Sequence, residues 1–372
     1  MLRPLKLNRL HLLLEYRHKQ SLRFGWLLIR QAIPNFQSPI SPEELAGLAM
    51  EAEADSRIVS QRDDQWLLEI GPFTEGDFQR DDQWSLLVQR VDEWLPEVAA
   101  LRGCVDFLPT WRFDDVMVSY AVDGAGVGPH FDQYDVFLLQ GAGNRRWRIG
   151  APCDASTALI DTNGLKLIDP FDVEAEFELE PGDVLYLPPR VPHWGTAIGE
   201  SMTYSLGFRA PRLSDLIARL SDSAIASVQD SLLLEDWDST RVQVRAGEMT
   251  ERHKRNAFTA VVNALAHLTD DDWLPELLSE TPWEPTPNDG QMSKTIILAP
   301  SQRLIWQAHD DHITAHLGGE KYEMDLTDES LLIALCSGRT CGTGDLSQST
   351  LDHLRQWWTL GLIEEPELGL SH

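Results

Sequence analysis

His130 and Asp132 lie one residue apart in the run Gly128-Pro129-His130-Phe131-Asp132-Gln133-Tyr134-Asp135, and Val191-Pro192-His193-Trp194 supplies a second histidine further along the chain. Two histidines and one carboxylate are the donor set of the facial triad. That triad holds non-haem Fe(II) on one face of an octahedron and leaves three positions for co-substrate and O2. If residues 130–134 are extended, side chains 130 and 132 point to one side, because the side-chain period of a strand is two. The third ligand must then come from another strand facing the same cavity. Asp183-Val184-Leu185-Tyr186-Leu187-Pro188, just before His193, reads as that strand. The Gly-rich loop Asp123–Pro129 lets backbone approach a bound ion closely. It is not followed by Gly-Lys-Ser/Thr, so it is no phosphate cradle.

Where such an iron takes 2-oxoglutarate, the distal carboxylate needs a cation. Arg145, in Gly143-Asn144-Arg145-Arg146-Trp147, has the planar fork for it, and the hydroxyl of Ser119 or Tyr120 is placed to share the carboxylate. Strand alternation sends Arg146 and Arg148 to the side opposite Arg145. The competing reading makes all three exposed strand charges. His309, His312 and His316 suggest a second cluster. On a hairpin 312 and 316 share a face and 309 does not, so they read as a surface strand. Glu180-Pro181-Gly182-Asp183 reads as a structural turn aiming the strand toward His193.

The elements that must position these groups are mostly strands. Residues 115–208 hold short apolar, β-branched stretches (116–120, 136–140, 146–149, 175–179, 184–187 and 202–208) separated by Gly, Pro, Asn and Asp, the pattern of an all-β barrel or jelly roll. Before them, 57–60 and 66–70 read as strands, and Trp84–Leu101 has helical spacing through Leu86, Leu87, Val91, Trp94 and Leu95. Ser41-Pro42-Glu43-Glu44 opens a helix with a capping box. Beyond Pro211, Leu213, Leu216, Ile217, Leu220, Ala224 and Val228 recur at helical spacing, and 251–268 repeats the pattern through Phe258, Val261, Val262 and Leu265. A Pro-rich stretch, 280–290, is stiff and cannot continue a helix. After it come a hairpin (304–308 and 313–317), helices near 328–336 and 347–360, and an exit at Gly361–Glu364 resembling that of a winged helix.

The chain has 372 residues, enough for two or three domains, with 42% hydrophobic residues and no apolar run long enough to span a bilayer. Residues 1–30 lack the apolar core and cleavage site of a signal peptide. The four cysteines (Cys104, Cys153, Cys336, Cys341) form no C-x-x-C pair, so they read as reduced thiols of a cytoplasmic protein. Fifty-nine acidic residues against 31 basic ones give a net charge of −28. That surface repels DNA and anionic membrane and attracts a cationic partner, unless the acidity serves solubility alone.

The runs Ile40–Met50, Gly128–Val136, Arg145–Arg148, Glu180–Asp183 and Gly207–Ala210 resemble the bacterial ribosomal oxygenases, closely over residues 30–212 and more loosely to the C-terminus. These are JmjC-domain Fe(II)- and 2-oxoglutarate-dependent oxygenases that hydroxylate C-3 of an arginine in large-subunit ribosomal protein number sixteen. The resemblance implies a mainly β fold with helices. A double-stranded β-helix (cupin or jelly-roll, residues 1–210) is followed by a helical dimerisation domain (211–280), a linker (281–294) and a winged helix (295–372). It implies iron at His130, Asp132 and His193, 2-oxoglutarate at Arg145 with Ser119, and a substrate pocket of Asp115, Met117, Tyr134 and Ser205. It also implies O2 as co-substrate, a homodimer, and a basic ribosomal protein as partner. One stretch departs from the family: Tyr16–Gly25 lacks the usual Trp-x-Lys-x-Pro pattern. Two other classes remain open: a JmjC lysyl demethylase or other protein hydroxylase with the same triad, and a non-catalytic cupin-like adaptor.

Overall fold

The structure is a computed structural model that describes residues 25–366, except 63–64, 106, 155, 163, 170, 229–232, 235–246, 267–271, 282–284 and 345. The departure at Tyr16–Gly25 therefore lies, but for its last residue, outside the described residues.

The strands of the N-terminal part are β1 (Leu27–Ile29), β2 (Ser56–Arg62), β3 (Gln65–Ile70), β4 (Gln83–Val88), β5 (Phe113–Ala121) and β6 (Asp135–Ile149). A hairpin of β7 (Leu159–Thr162) and β8 (Leu165–Ile168) precedes β9 (Ala175–Leu179), β10 (Val184–Leu187) and β11 (His193–Phe208). Nine of these form one sheet in the order β1-β10-β6-β11-β5-β4-β2-β3, with β9 also on β6. The two segments 136–140 and 146–149 are one strand, and Met202–Phe208 is the second half of another. β6 and β11 run antiparallel from Asp135↔Phe208 to Ile149↔His193, with a register break opposite Ala142. Gly143 sits at this break with φ +58°, and a Cβ there would run into the Glu200 carbonyl, so only glycine fits. The early half of β6 pairs with β10 and the late half with β9, which curls the sheet into a barrel.

Alternation sorts the barrel's two faces. On β4 and β5, Leu86, Val88, Val116 and Val118 enter the main apolar core, while Ser85, Leu87, Asp115, Met117 and Ser119 line the barrel cavity. On β6 the parity switches at the bulge. Val136 and Leu138 face the cavity before it, Arg145 and Trp147 after it.

Helix α1 (Pro42–Leu48) starts as its sequence indicates. Ser41 Oγ accepts from the Glu44 N–H at 3.2 Å, and Glu44 Oε2 accepts from the Ser41 N–H at 2.7 Å. The expected helix over Trp84–Leu101 is corrected. Residues 83–88 are strand β4, followed by the short turns α2 (Val91–Trp94) and α3 (Pro96–Ala99). β4 is covered on both faces, so its apolar run is continuous and hides the period of two. Arg90, left-handed at φ +53°, and Pro96 prevent one continuous helix.

Beyond the barrel come α4 (Leu213–Ser227), α5 (Glu251–Ala266) and α6 (Trp273–Ser279). Then follow β12 (Thr295–Leu298), β13 (Ile305–Ala308), β14 (Ile313–Leu317), β15 (Glu320–Met324), α7 (Glu329–Cys336), β16 (Cys341–Gly342), α8 (Gln348–Thr359) and β17 (Ile363–Glu364). β13-β14-β15 and β16-β12-β17 form two small sheets around a core that includes Leu332, Leu354, Trp357 and Ile363. The expected surface strand is also corrected: every residue of β14 is buried. His316 is enclosed, 3.5 Å from Asp272, and His309 stacks on His312. Arg303 reaches Asp114 at 3.2 Å, and Arg102 donates to the Pro300 carbonyl at 2.9 Å, tying this region to the barrel. Among the described residues, no helix is long and apolar enough to cross a membrane.

Candidate metal and co-substrate site

The three candidate ligands meet. One donor atom each from His130, Asp132 and His193 lies within 4.8 Å of the others, and this is the metal-competent group found among the described residues. Their supports differ from the expected run of strand. His130 makes an isolated bridge to His193, each backbone N–H donating to the other's carbonyl at 3.1 and 2.8 Å. Asp132 sits in the loop that follows. The Arg190 N–H donates to its carbonyl at 2.7 Å. Asp135, at the loop's end, is held by Tyr186 at 2.7 Å and Arg112 at 2.9 Å. The third ligand opens β11; the strand named in advance, β10, ends before it.

Both imidazoles are oriented for metal. His130 Nδ1 donates to the Gly128 carbonyl at 2.9 Å, and His193 Nδ1 to the Val191 carbonyl at 3.0 Å. A carbonyl only accepts, so each Nδ1 carries the proton and each Nε2 keeps its lone pair. Gly128 has φ +79°, and a side chain there would crowd Leu167 and Trp66. Burial, then the neighbouring His130, pushes the His193 imidazole down to about 4, which keeps it neutral.

A cavity of about 330 Å³ opens from these ligands into the barrel. Arg145 lines its wall, 5% exposed. Its Nε donates to Ser201 Oγ at 3.3 Å and its NH1 to Ser119 Oγ at 3.2 Å, while NH2 has no partner among the described residues. Burial lowers its pKa to about 10, still protonated at neutral pH. A buried guanidinium with an unmet donor and, among the described residues, no anion beside it fits a carboxylate ligand. Arg146 and Arg148 instead pair with Glu176 on the outer face, and Tyr120 packs on Trp84 away from the cavity.

Asp115, Met117, Tyr134 and Ser205 line the same cavity. Burial, then Asp114, raises Asp115 to about 6 against the donated Arg90 N–H, which lowers it. Burial likewise raises the Tyr134 phenol. Arg57 and Gln89 are among the lining residues that escaped the sequence reading. The signal for Gln89 was present: it lies two and four residues beyond Leu87 and Ser85, on the face that points inward once β4 is read as a strand.

A jelly-roll barrel with a His/Asp/His cluster at one end and a buried arginine within is the architecture of a JmjC oxygenase domain. The sequence profile of the JmjC domain matches residues 100–216. The chain is 48% identical over 196 residues to a ribosomal protein uL16 3-hydroxylase of Escherichia coli, and 36% identical over 248 residues to a probable ribosomal oxygenase of Haemophilus influenzae. Those matches cover 53% and 65% of this chain but only 52% and 61% of the relatives. A crystal structure of YcfD, a ribosomal oxygenase from Escherichia coli, superposes with a TM-score of 0.78 at 33% identity, covering 98% of this chain and 99% of that one. The same protein in complex with cobalt and 2-oxoglutarate matches at 32% identity and a TM-score of 0.78, covering 97% and 99%. The chain belongs to the ribosomal oxygenase family of JmjC-domain proteins.

Proposed function

We propose that the chain is an Fe(II)- and 2-oxoglutarate-dependent oxygenase that hydroxylates C-3 of an arginine in large-subunit ribosomal protein uL16. One observation carries this: the His130/Asp132/His193 cluster, the unsatisfied Arg145 and the buried carboxylate of Asp115 face one cavity. Iron with bound 2-oxoglutarate supplies the oxidising chemistry, activating O2 as the co-substrate is decarboxylated to succinate.

The protein positions and encloses. His130 and His193 offer Nε2, and Asp132 offers its carboxylate. Arg145 and Ser119 take the distal carboxylate of 2-oxoglutarate through NH2 and Oγ, and Arg145 cannot leave because Ser201 holds its Nε. Asp115 takes the guanidinium of the substrate, Tyr134 and Met117 wall its methylenes, and Ser205 adds a hydroxyl. No residue here need act as a general acid or base.

The charge of −28 supports a highly basic partner, and a ribosomal-protein substrate supports a cytoplasmic location. Leu213, Ile217 and Ile225 of α4 and Phe258 and Val261 of α5 are 56–75% exposed, which supports a homodimer through the helices of 211–280, with residues 295–372 as a winged helix used for protein contact. Light scattering at twice the monomer mass meets this; a monomer refutes it.

Mass spectrometry after incubation with purified ribosomal proteins, Fe(II) and 2-oxoglutarate tests the main reading. One added oxygen on an arginine of uL16 is expected. Loss of a methyl group from a methyl-lysine marks a demethylase, and absence of succinate marks an adaptor.

A further inference from the structure

Among the polar residues of the cavity wall that have no part in holding metal or co-substrate, two stand next to the proposed substrate carboxylate. Arg57 on β2 and Gln89, just past β4, stand beside Asp115. The Gln89 amide lies between the other two. In the orientation that satisfies both neighbours, its Nε2 donates to Asp115 Oδ2 at 2.9 Å and its Oε1 accepts from Arg57 NH2 at 2.9 Å. The Arg90 N–H donates to the same Asp115 oxygen at 3.1 Å. Two donors from the end of β4 therefore fix Oδ2, while Oδ1 is turned toward Gly207 on the neighbouring strand β11.

The arrangement contains a hazard. Arg57, whose guanidinium also approaches Met117 Sδ at 4.0 Å, is a cation of this chain one amide away from a buried carboxylate. Direct pairing of guanidinium and carboxylate is bidentate and strong, and a desolvated carboxylate gains most from it. Arg57 is long and flexible enough to close that gap once nothing fills it.

We infer that Gln89 is a specificity-determining positioning residue: its amide holds Asp115 in place and keeps Arg57 from pairing with it, reserving that carboxylate for the guanidinium of the substrate. The inference rests on the reading of Asp115 as the carboxylate that receives the substrate arginine. Gln89 touches neither substrate nor cofactor in this role; it acts through Asp115.

The test is steady-state kinetics of the full chain with Fe(II), 2-oxoglutarate and a uL16 peptide containing the target arginine. Gln89→Ala raises KM for the peptide about tenfold, with kcat and KM for 2-oxoglutarate nearly unchanged, because binding alone is weakened. Arg57→Ala alone leaves the peptide KM near wild type. The double variant Arg57→Ala/Gln89→Ala recovers most of the lost affinity, because the competing cation is gone. A role confined to packing predicts no such rescue. If the alanine variant melts early, Gln89→Ser, short enough to leave the gap open, serves in its place and shows the same KM rise and the same rescue. An unchanged peptide KM, or a double variant no better than the single, overturns the inference. Absence of any oxidised arginine with the wild-type enzyme overturns the reading of the site, and this inference with it.

Discussion

The barrel interior and the C-terminal core are built from the same elements, short antiparallel strands with helices beside them, yet they place their buried polar groups differently. Around Leu332, Leu354 and Trp357 the core is mainly aliphatic and aromatic. Inside the barrel the same alternation delivers Asp115, Ser119, Arg145 and His193, all buried, into an open cavity. Arg145 keeps an unmatched donor there and Asp115 an elevated pKa. Buried polar groups short of partners cost stability. The C-terminal region also buries polar atoms without a partner among the described residues, Trp357 Nε1 and Tyr322 OH included, but they are the tips of core aromatics, whereas the barrel gathers ionisable side chains around a space that ligands can enter.

The sharpest break in this comparison is Asp132→Ala. It removes the anionic ligand of the cluster, so metal content falls steeply and succinate formation stops, while the melting curve of the metal-free protein stays near wild type. Metal analysis and calorimetry read both. Leu354→Ala should do the reverse. Emptying a fully buried leucine site costs about 2–5 kcal/mol, visible as a lower Tm, with kcat per folded molecule unchanged.

Arg145→Lys is next. A lysine ammonium cannot reproduce the planar fork that donates to Ser201 and Ser119 while aiming NH2 at the carboxylate, so the 2-oxoglutarate requirement rises about tenfold, equivalent to about 1.4 kcal/mol, while metal content holds. A flat 2-oxoglutarate titration moves the role elsewhere.

Asp115 separates function from stability. Its folded pKa is raised to about 6, so the carboxylate is present above that value and lost below it. Peptide kcat/KM should therefore fall as pH drops through about 6. For stability the sign is opposite to that of a salt-bridged aspartate. Folding disfavours the ionised form, so Asp115 weakens the fold progressively from about pH 4 to 6 and by a constant amount above. Asp115→Asn should gain roughly 1–3 kcal/mol above that range, a gain that vanishes toward pH 4. Denaturant melts at several pH values check it. The smallest effect belongs to Glu176→Ala, which deletes the exposed pairs with Arg146 and Arg148. It should change stability by less than about 1 kcal/mol and turnover not at all.

Much of this was legible in the residues. The ligand spacing, the capping box at Ser41, the close strand intervals and the opposition of Arg145 to Arg146 and Arg148 all follow from local chemistry and the period of two. What escaped was set by neighbours rather than by sequence. β4 looked helical because both its faces are covered. β6 looked like two strands because Gly141-Ala142-Gly143 bends one, and the bend itself decides that Arg145 faces inward. Gln89 was invisible while β4 was read as a helix, since its face is defined only by the strand.

The central claim is that one cavity couples consumption of 2-oxoglutarate to oxidation of an arginine held at Asp115. The direct measurement is the ratio of hydroxyarginine formed to succinate released, for wild type and Asp115→Asn, on the same uL16 peptide. The account predicts a ratio near one for wild type, and for the variant continued slow succinate release with little hydroxyarginine. Hydroxyarginine from the variant at the wild-type rate, or succinate from wild type with no oxidised arginine, would contradict it.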